Sequence, residues 1–278
     1  MTDSTSRRRF SEILALPDEA VDLARASLLV ACEEYPDLEV DRYVARLDSL
    51  AGELRTRIST AAEPAILASA LNRLLVEEEG FRGNTRDYYD PRNSFLNDVL
   101  DRRTGIPITL AMVYMEVARR AGLAIDGVGL PGHFIVKLPG RDAGLLMDPF
   151  HGGALLSIED CQARLDRIYE GRLKIKPSML APCGRKEILA RMLRNLKTIY
   201  TRAGDYPRAL WIVDLLLRVD PGNAQELRDR GLLYAALDCY ALAASDFEEV
   251  LERAPGSPDA AALEKRIEDL RRRAALLN

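Results

Sequence analysis

Residues 105–150 read GIPITLAMVYMEVARRAGLAIDGVGLPGHFIVKLPGRDAGLLMDPF, and the change of period inside this stretch decides the fold class. From Pro107 to about Ala121 the apolar positions recur at helical spacing. Pro107 sits in the first turn, where its missing N–H costs nothing, and Gly122 is placed to end the helix. Beyond Gly122 the spacing is that of extended chain. Gly127 to Leu138 and Gly144 to Pro149 predict two strands, joined by the turn Pro139-Gly140-Arg141-Asp142. A helix followed by an antiparallel hairpin points to an α+β domain.

The hairpin carries the chemistry. One of the chain's two histidines lies in Pro131-Gly132-His133-Phe134 at a strand start, and Asp148 ends the following strand. A hairpin closed near Gly140 and Arg141 pairs residues whose numbers sum to 281, which sets His133 opposite Asp148. A carboxylate beside an imidazole orients the ring and raises its basicity, as a general base beside a nucleophile requires. The same pair also reads as a satisfied structural contact.

Outward from this core, residues 8 to 80 read as helices, with apolar spacing in Leu23 to Cys32, Val40 to Leu54 and Ile66 to Val76. Phe81 to Pro91 (FRGNTRDYYDP) is rich in turn-formers and reads as a loop, and the next helix is expected from near Asn93. Downstream, Ser157 with Glu159 and Asp160 opens a helix: the hydroxyl caps free N–H groups and the carboxylates complement the dipole.

The C-terminal third repeats itself. Val219-Asp220-Pro221 and Arg253-Ala254-Pro255 end similar segments 34 residues apart, the period of tetratricopeptide repeats. The second unit carries Leu227, Gly231 and Tyr234 on its first helix and Ala243, Phe247 and Val250 on its second. Leu193, Lys197, Tyr200, Ala209, Val213 and Leu216 hold the same places in the first, with Lys197 in place of the small residue. A small residue at Gly231 lets two helices approach while Tyr234, Ala243 and Phe247 interdigitate. Repeats of about 190–223 and 224–257 are expected. A capping helix over 260–277 follows, apolar at Leu263, Ile267, Leu270 and Ala274 and charged elsewhere. The domain expectation is therefore 1–180 for the α+β part with its N-terminal helices and 181–278 for the repeats.

Composition narrows the class. Hydrophobic residues are 47% and charged residues 29% of the 278, as in a soluble globular protein. The balance of 39 basic against 43 acidic residues lacks the excess that a nucleic-acid-tracking surface needs. Cys32, Cys161, Cys183 and Cys239 form no CxxC pair, so neither a zinc site nor a disulfide framework is expected. His151, in a turn before Gly152-Gly153, reads as a loop histidine, and no metal or cofactor is expected. No apolar run approaches a membrane span, and Glu12, Asp18, Glu19 and Asp22 follow the basic Arg7–Arg9 where a signal peptide would be apolar. A reducing cytoplasm is the expected compartment.

A helix with Ala111, Arg119 and Gly122, a strand with His133, and Asp148-Pro149 together resemble the core of transglutaminase-like proteins. Asn93-Ser94-Phe95-Leu96-Asn97, Gly105-Ile106-Pro107, Gly129-Leu130-Pro131-Gly132-His133-Phe134 and Asp148-Pro149-Phe150 resemble, more closely, the bacterial Sir-B-type family, which joins such a core to tetratricopeptide repeats. The match runs over roughly residues 40 to 278. The resemblance implies a papain-like cysteine–histidine–aspartate triad with its cysteine at the N-terminus of the Ala111/Arg119 helix. Aligning on Ala111 and Arg119 puts Pro107 there, which has no nucleophile.

Two substitutes stand nearby in sequence. Thr109 is the nearest hydroxyl, a far poorer nucleophile than a thiolate. Cys161 lies in the first turn of a predicted helix, where the dipole lowers a thiol pKa, but Glu159 and Asp160 beside it oppose thiolate formation. Asn93 and Asn97, one turn apart, either hold the Gly105 loop or line a cleft, and Ser94 reads as a cap. Tyr200 and Tyr234 are candidates for a repeat groove, or core with Trp211. Two functions follow: a non-catalytic adaptor or regulator that binds a protein or peptide through the repeats, or a hydrolase or acyl transferase using His133 and Asp148.

Overall fold

A computed structural model describes residues 4–58, 63–140, 144–256 and 258–276. Arg141 and Asp142 of the expected turn, and Leu277 of the expected cap, lie outside the described residues. The chain divides into two compact units, 1–189 and 190–278.

The first unit begins with α1 (Thr5–Leu14), α2 (Leu23–Ala31), α3 (Val40–Arg57) and α4 (Pro64–Asn72), the last running into a π-helical turn over Arg73–Glu78. Asp22 caps α2 by accepting the Arg25 N–H at 2.9 Å. Next come β1 (Arg82–Gly83), α5 (Leu96–Arg102), β2 (Thr104–Gly105) and α6 (Pro107–Arg120). A four-stranded antiparallel sheet follows: β3 (Asp126–Val128), β4 (Ile135–Leu138), β5 (Leu145–Asp148) and β6 (Ala154–Leu156), in that order. The unit closes with α7 (Ile158–Tyr169) and the start of α8 (Arg185–Arg202), whose first N–H groups at Arg185 and Lys186 are capped by Asp18 at 2.7 and 2.9 Å.

α6 is the axis of this unit. It is apolar nearly all round, as a fully buried helix must be, and packs against α2 and α3 on one side and β3 and β4 on the other. Its buried Glu116 is neutralised within the helix by Arg119 and Arg120. The Pro107 start and Gly122 stop stand as expected, with Gly122 at φ 83°.

The hairpin departs from expectation in three ways. The expected strand Gly127–Leu138 is two strands, β3 and β4, pairing antiparallel around the turn of residues 129–134. β4 pairs β5 as Val136↔Met147 and Leu138↔Leu145, so paired numbers sum to 283 and not 281. Six residues separate Leu138 from its partner Leu145, two more than a turn of Pro139–Asp142 alone, and the register moves by two. β6 and the short parallel pair β1–β2 were not anticipated, because three- and two-residue strands leave no measurable period. Farther upstream, a 3₁₀ turn over Pro91–Asn93 precedes α5, which starts at Leu96, so Asn93 and Asn97 do not share a helix and Ser94 caps nothing.

The second unit holds the rest of α8, then α9 (Tyr206–Val219), α10 (Ala224–Ala236), α11 (Tyr240–Arg253) and α12 (Ala260–Leu276), with α9 to α12 each packed on the next. A Cβ at position 231 would lie 2.7 Å from the Phe247 ring, so only glycine admits this close crossing of α10 and α11. Lys197, where the first repeat lacks its small residue, turns its ammonium to Glu226 at 2.6 Å and Asp229 at 2.5 Å. α12 buries Leu263, Ile267 and Leu270 and leaves its charged residues mostly in solvent.

Candidate functional site

His133 stands in the 129–134 turn, two residues ahead of β4, and Asp148 is the last residue of β5. His133 Nε2 lies 2.9 Å from Asp148 Oδ2. The register shift does not separate them, because an offset of two keeps both side chains on the same face. Asp148 is fully buried and His133 nearly so.

The carboxylate is held on every side. Oδ1 accepts the Phe150 N–H at 3.1 Å, and the Asp148 carbonyl accepts the Gly153 N–H at 2.8 Å. Oδ2 also receives His151 Nδ1 at 2.8 Å and the Arg164 guanidinium, which touches His133 Nε2 as well. Gly152 and Gly153, at φ 67° and 70°, fold the chain back so that His151 can turn inward. Asn72 locks this turn: its Nδ2 donates to the Gly153 carbonyl at 2.7 Å and its Oδ1 accepts from the Tyr114 hydroxyl at 3.1 Å. A Cβ on Gly153 would fall 1.8 Å from Asn72 Oδ1.

Burial pushes the Asp148 carboxyl up, but the His133 contact, the Arg164 charge and the His151 hydrogen bond outweigh it and hold its pKa well below the usual carboxylate range. Burial pushes His133 the other way, below its ordinary value, against the support of Asp148. The surroundings therefore favour the charge on Asp148, with the Arg164 guanidinium against it, while burial disfavours a charge on His133.

Both nucleophile candidates are committed elsewhere. The Thr109 hydroxyl is fully buried, donates to the Asn93 carbonyl at 2.7 Å and accepts the Ile106 N–H at 3.1 Å, so it ties the 3₁₀ turn to the start of α6. Cys161 is fully buried among Val128, Leu130, Ile135 and Leu146, and that burial raises its thiol pKa. Neither weak candidate finds support as a nucleophile: the Thr109 hydroxyl donates to backbone, and Cys161 is an apolar core residue. Pro107 occupies the first position of α6.

Asn93 is buried and structural. It donates to the Asp87 carbonyl at 2.7 Å and accepts from Asn84 at 3.1 Å, fastening the loop ahead of it. Asn97 Oδ1 and Ser94 Oγ are buried without a hydrogen-bond partner. Tyr200 is buried with Arg208 over its ring, which makes it core and not groove, whereas Tyr234 is half-buried beside Arg230. His151 is the main correction. Read as an isolated loop histidine, it shares Asp148 with His133, and these three residues bring their ligand atoms within 4.8 Å of one another. The Asp148–His151 spacing of three, folded by a 3₁₀ turn, was the available signal; nothing in the sequence tied Arg164 to the hairpin.

Residues 41–194 match the model of the transglutaminase-like superfamily, over more than half of the chain. This chain belongs to that superfamily. Residues 196–268 match a tetratricopeptide repeat model. The chain is 38% identical over 251 residues to a UPF0162 protein of Xylella fastidiosa, covering 89% of each, and 29% identical over 253 residues to a UPF0162 protein of Vibrio cholerae, covering 91% of this chain and 93% of that one. It is also 29% identical over 182 residues to the human F-box only protein 21, covering 62% of this chain and 28% of that protein. The transglutaminase-like core followed by repeats thus stands as the sequence suggested. No described helix is long and apolar enough to cross a membrane.

Proposed function

We propose that this protein is a non-catalytic transglutaminase-like protein that acts as an adaptor or regulator, binding a protein or peptide through its repeats in the reducing cytoplasm. The observation that carries the reading is the fate of the nucleophile: Pro107 stands at the position expected for cysteine, Thr109 is spent on the Asn93 carbonyl, and Cys161 is sealed in the core. Without a nucleophile, a His–Asp pair orients nothing that attacks. Four free cysteines and the mild acidic excess support a reducing compartment and argue against nucleic acid.

For the partner we favour the cleft of about 330 Å³ lined by Lys197, Thr198, Thr201, Arg202, Leu232 and Leu233, where Leu232 offers an exposed apolar side chain among charged neighbours. The hydrogen-bonded His133–Asp148 pair supports a second reading, a hydrolase or acyl transferase with an unrecognised nucleophile. A peptidyl electrophile followed by intact mass distinguishes them. Absence of His133-dependent labelling, together with loss of a cross-linked cellular partner in Leu232→Glu, supports the adaptor; rapid labelling abolished by His133→Ala overturns it.

A further inference from the structure

The chain has two histidines, and both direct a ring nitrogen at the same oxygen of one buried carboxylate. Chance pairing explains one such contact poorly and two worse, since fifteen residues separate His133 from Asp148 and a glycine turn is needed to bring His151 back. We propose that His133 Nε2, His151 Nδ1 and Asp148 Oδ2 form a site for one divalent transition-metal ion of the zinc type, which displaces the Arg164 guanidinium. This goes beyond the adaptor reading and does not depend on the repeats.

Two imidazoles and a carboxylate, with further positions left to water, are a recurring donor set for zinc and its neighbours. The nitrogens stand 2.8 and 2.9 Å from Oδ2, and all three donor atoms lie within 4.8 Å of one another. Donors bound at about 2.0–2.2 Å around a tetrahedral ion lie roughly 3.3 Å apart, so each nitrogen–oxygen pair opens by a few tenths of an ångström. The supports usual behind metal ligands are present: the Phe150 N–H fixes the carboxylate through Oδ1, and Asn72 with Gly153 fixes the turn that carries His151. His151 is 50% exposed and gives an ion a path inward.

Arg164 is the obstacle and the control. Its guanidinium holds the place an ion would take, and its side chain, on α7 and 19% exposed, has solvent to swing into. A cation that binds must expel another, so the arginine weakens the site and sets its affinity.

The test uses the full chain after chelator treatment, titrated with zinc chloride and followed by histidine side-chain nitrogen NMR, in which two imidazoles give two resolvable signal sets. Both sets are expected to shift together and saturate at one equivalent. His151→Gln should weaken binding more than about tenfold, and Arg164→Gln should tighten it by about tenfold or more. Cobalt substitution separates this site from the cysteines, because nitrogen and oxygen ligands alone give no thiolate charge-transfer band. The proposal is overturned if neither histidine shifts at millimolar zinc, if His151 alone responds, if His151→Gln binds as well as the natural chain, or if binding appears only after Arg164 is replaced.

Discussion

His133, in the turn before β4, and Asp148, at the end of β5 and fifteen residues on, meet at 2.9 Å around a carboxylate that solvent does not reach. Three cationic or potentially cationic groups converge on that single oxygen, so the site's stability rests on Asp148.

Asp148→Ala should destabilise the first unit by about 3–5 kcal/mol, because it strands Arg164 and two imidazoles around an empty position. Urea unfolding followed by circular dichroism measures it. A loss below about 1 kcal/mol would show that solvent already serves Arg164.

Gly152 and Gly153 make a matched pair of tests. Both have positive φ, but a Cβ at 152 meets open space while one at 153 meets Asn72. Gly152→Ala should cost about 1 kcal/mol from backbone strain alone, and Gly153→Ala clearly more, with the excess reduced in the Asn72→Ala background. Equal costs would remove Asn72 from the account of how the turn is held.

Thiol chemistry should report the core. Cys239 is exposed, whereas Cys161 is enclosed by β-sheet side chains that push its pKa up. A disulfide reagent at pH 8 should modify Cys239 within the first minutes and Cys161 only after denaturation. Fast native-state reaction at Cys161, mapped by peptide mass, would contradict the packing.

In the repeats, Gly231→Ala should lower stability by about 1–3 kcal/mol through the clash with Phe247, and Phe247→Leu in the same chain should recover part of it. Thermal melts of the single and double variants give the coupling directly.

Lys197→Met should cost about 1–3 kcal/mol by leaving Glu226 and Asp229 short of a cation, although Arg194 still bridges Glu226 at 2.9 Å. Adding Glu226→Gln should recover much of that loss.

What the sequence determined by itself was whatever depends on local spacing. Pro107 and Gly122 bounded the central helix, Ser157 and Asp160 formed their capping box, and prolines 34 residues apart marked helical hairpins, because caps and periods act over a few residues. The face shared by His133 and Asp148 was legible too, since it depends only on strand parity, which survives a register error of two.

Tertiary structure decided the rest. Whether Thr109 and Cys161 are reactive depends on what surrounds them, and only packing supplies the Asn93 carbonyl to one and an apolar shell to the other. The arrival of His151 and Arg164 at Asp148 needed a left-handed glycine turn and the docking of α7. Neither leaves a periodic trace, because electrostatic convergence is set by distance in space and not by separation along the chain.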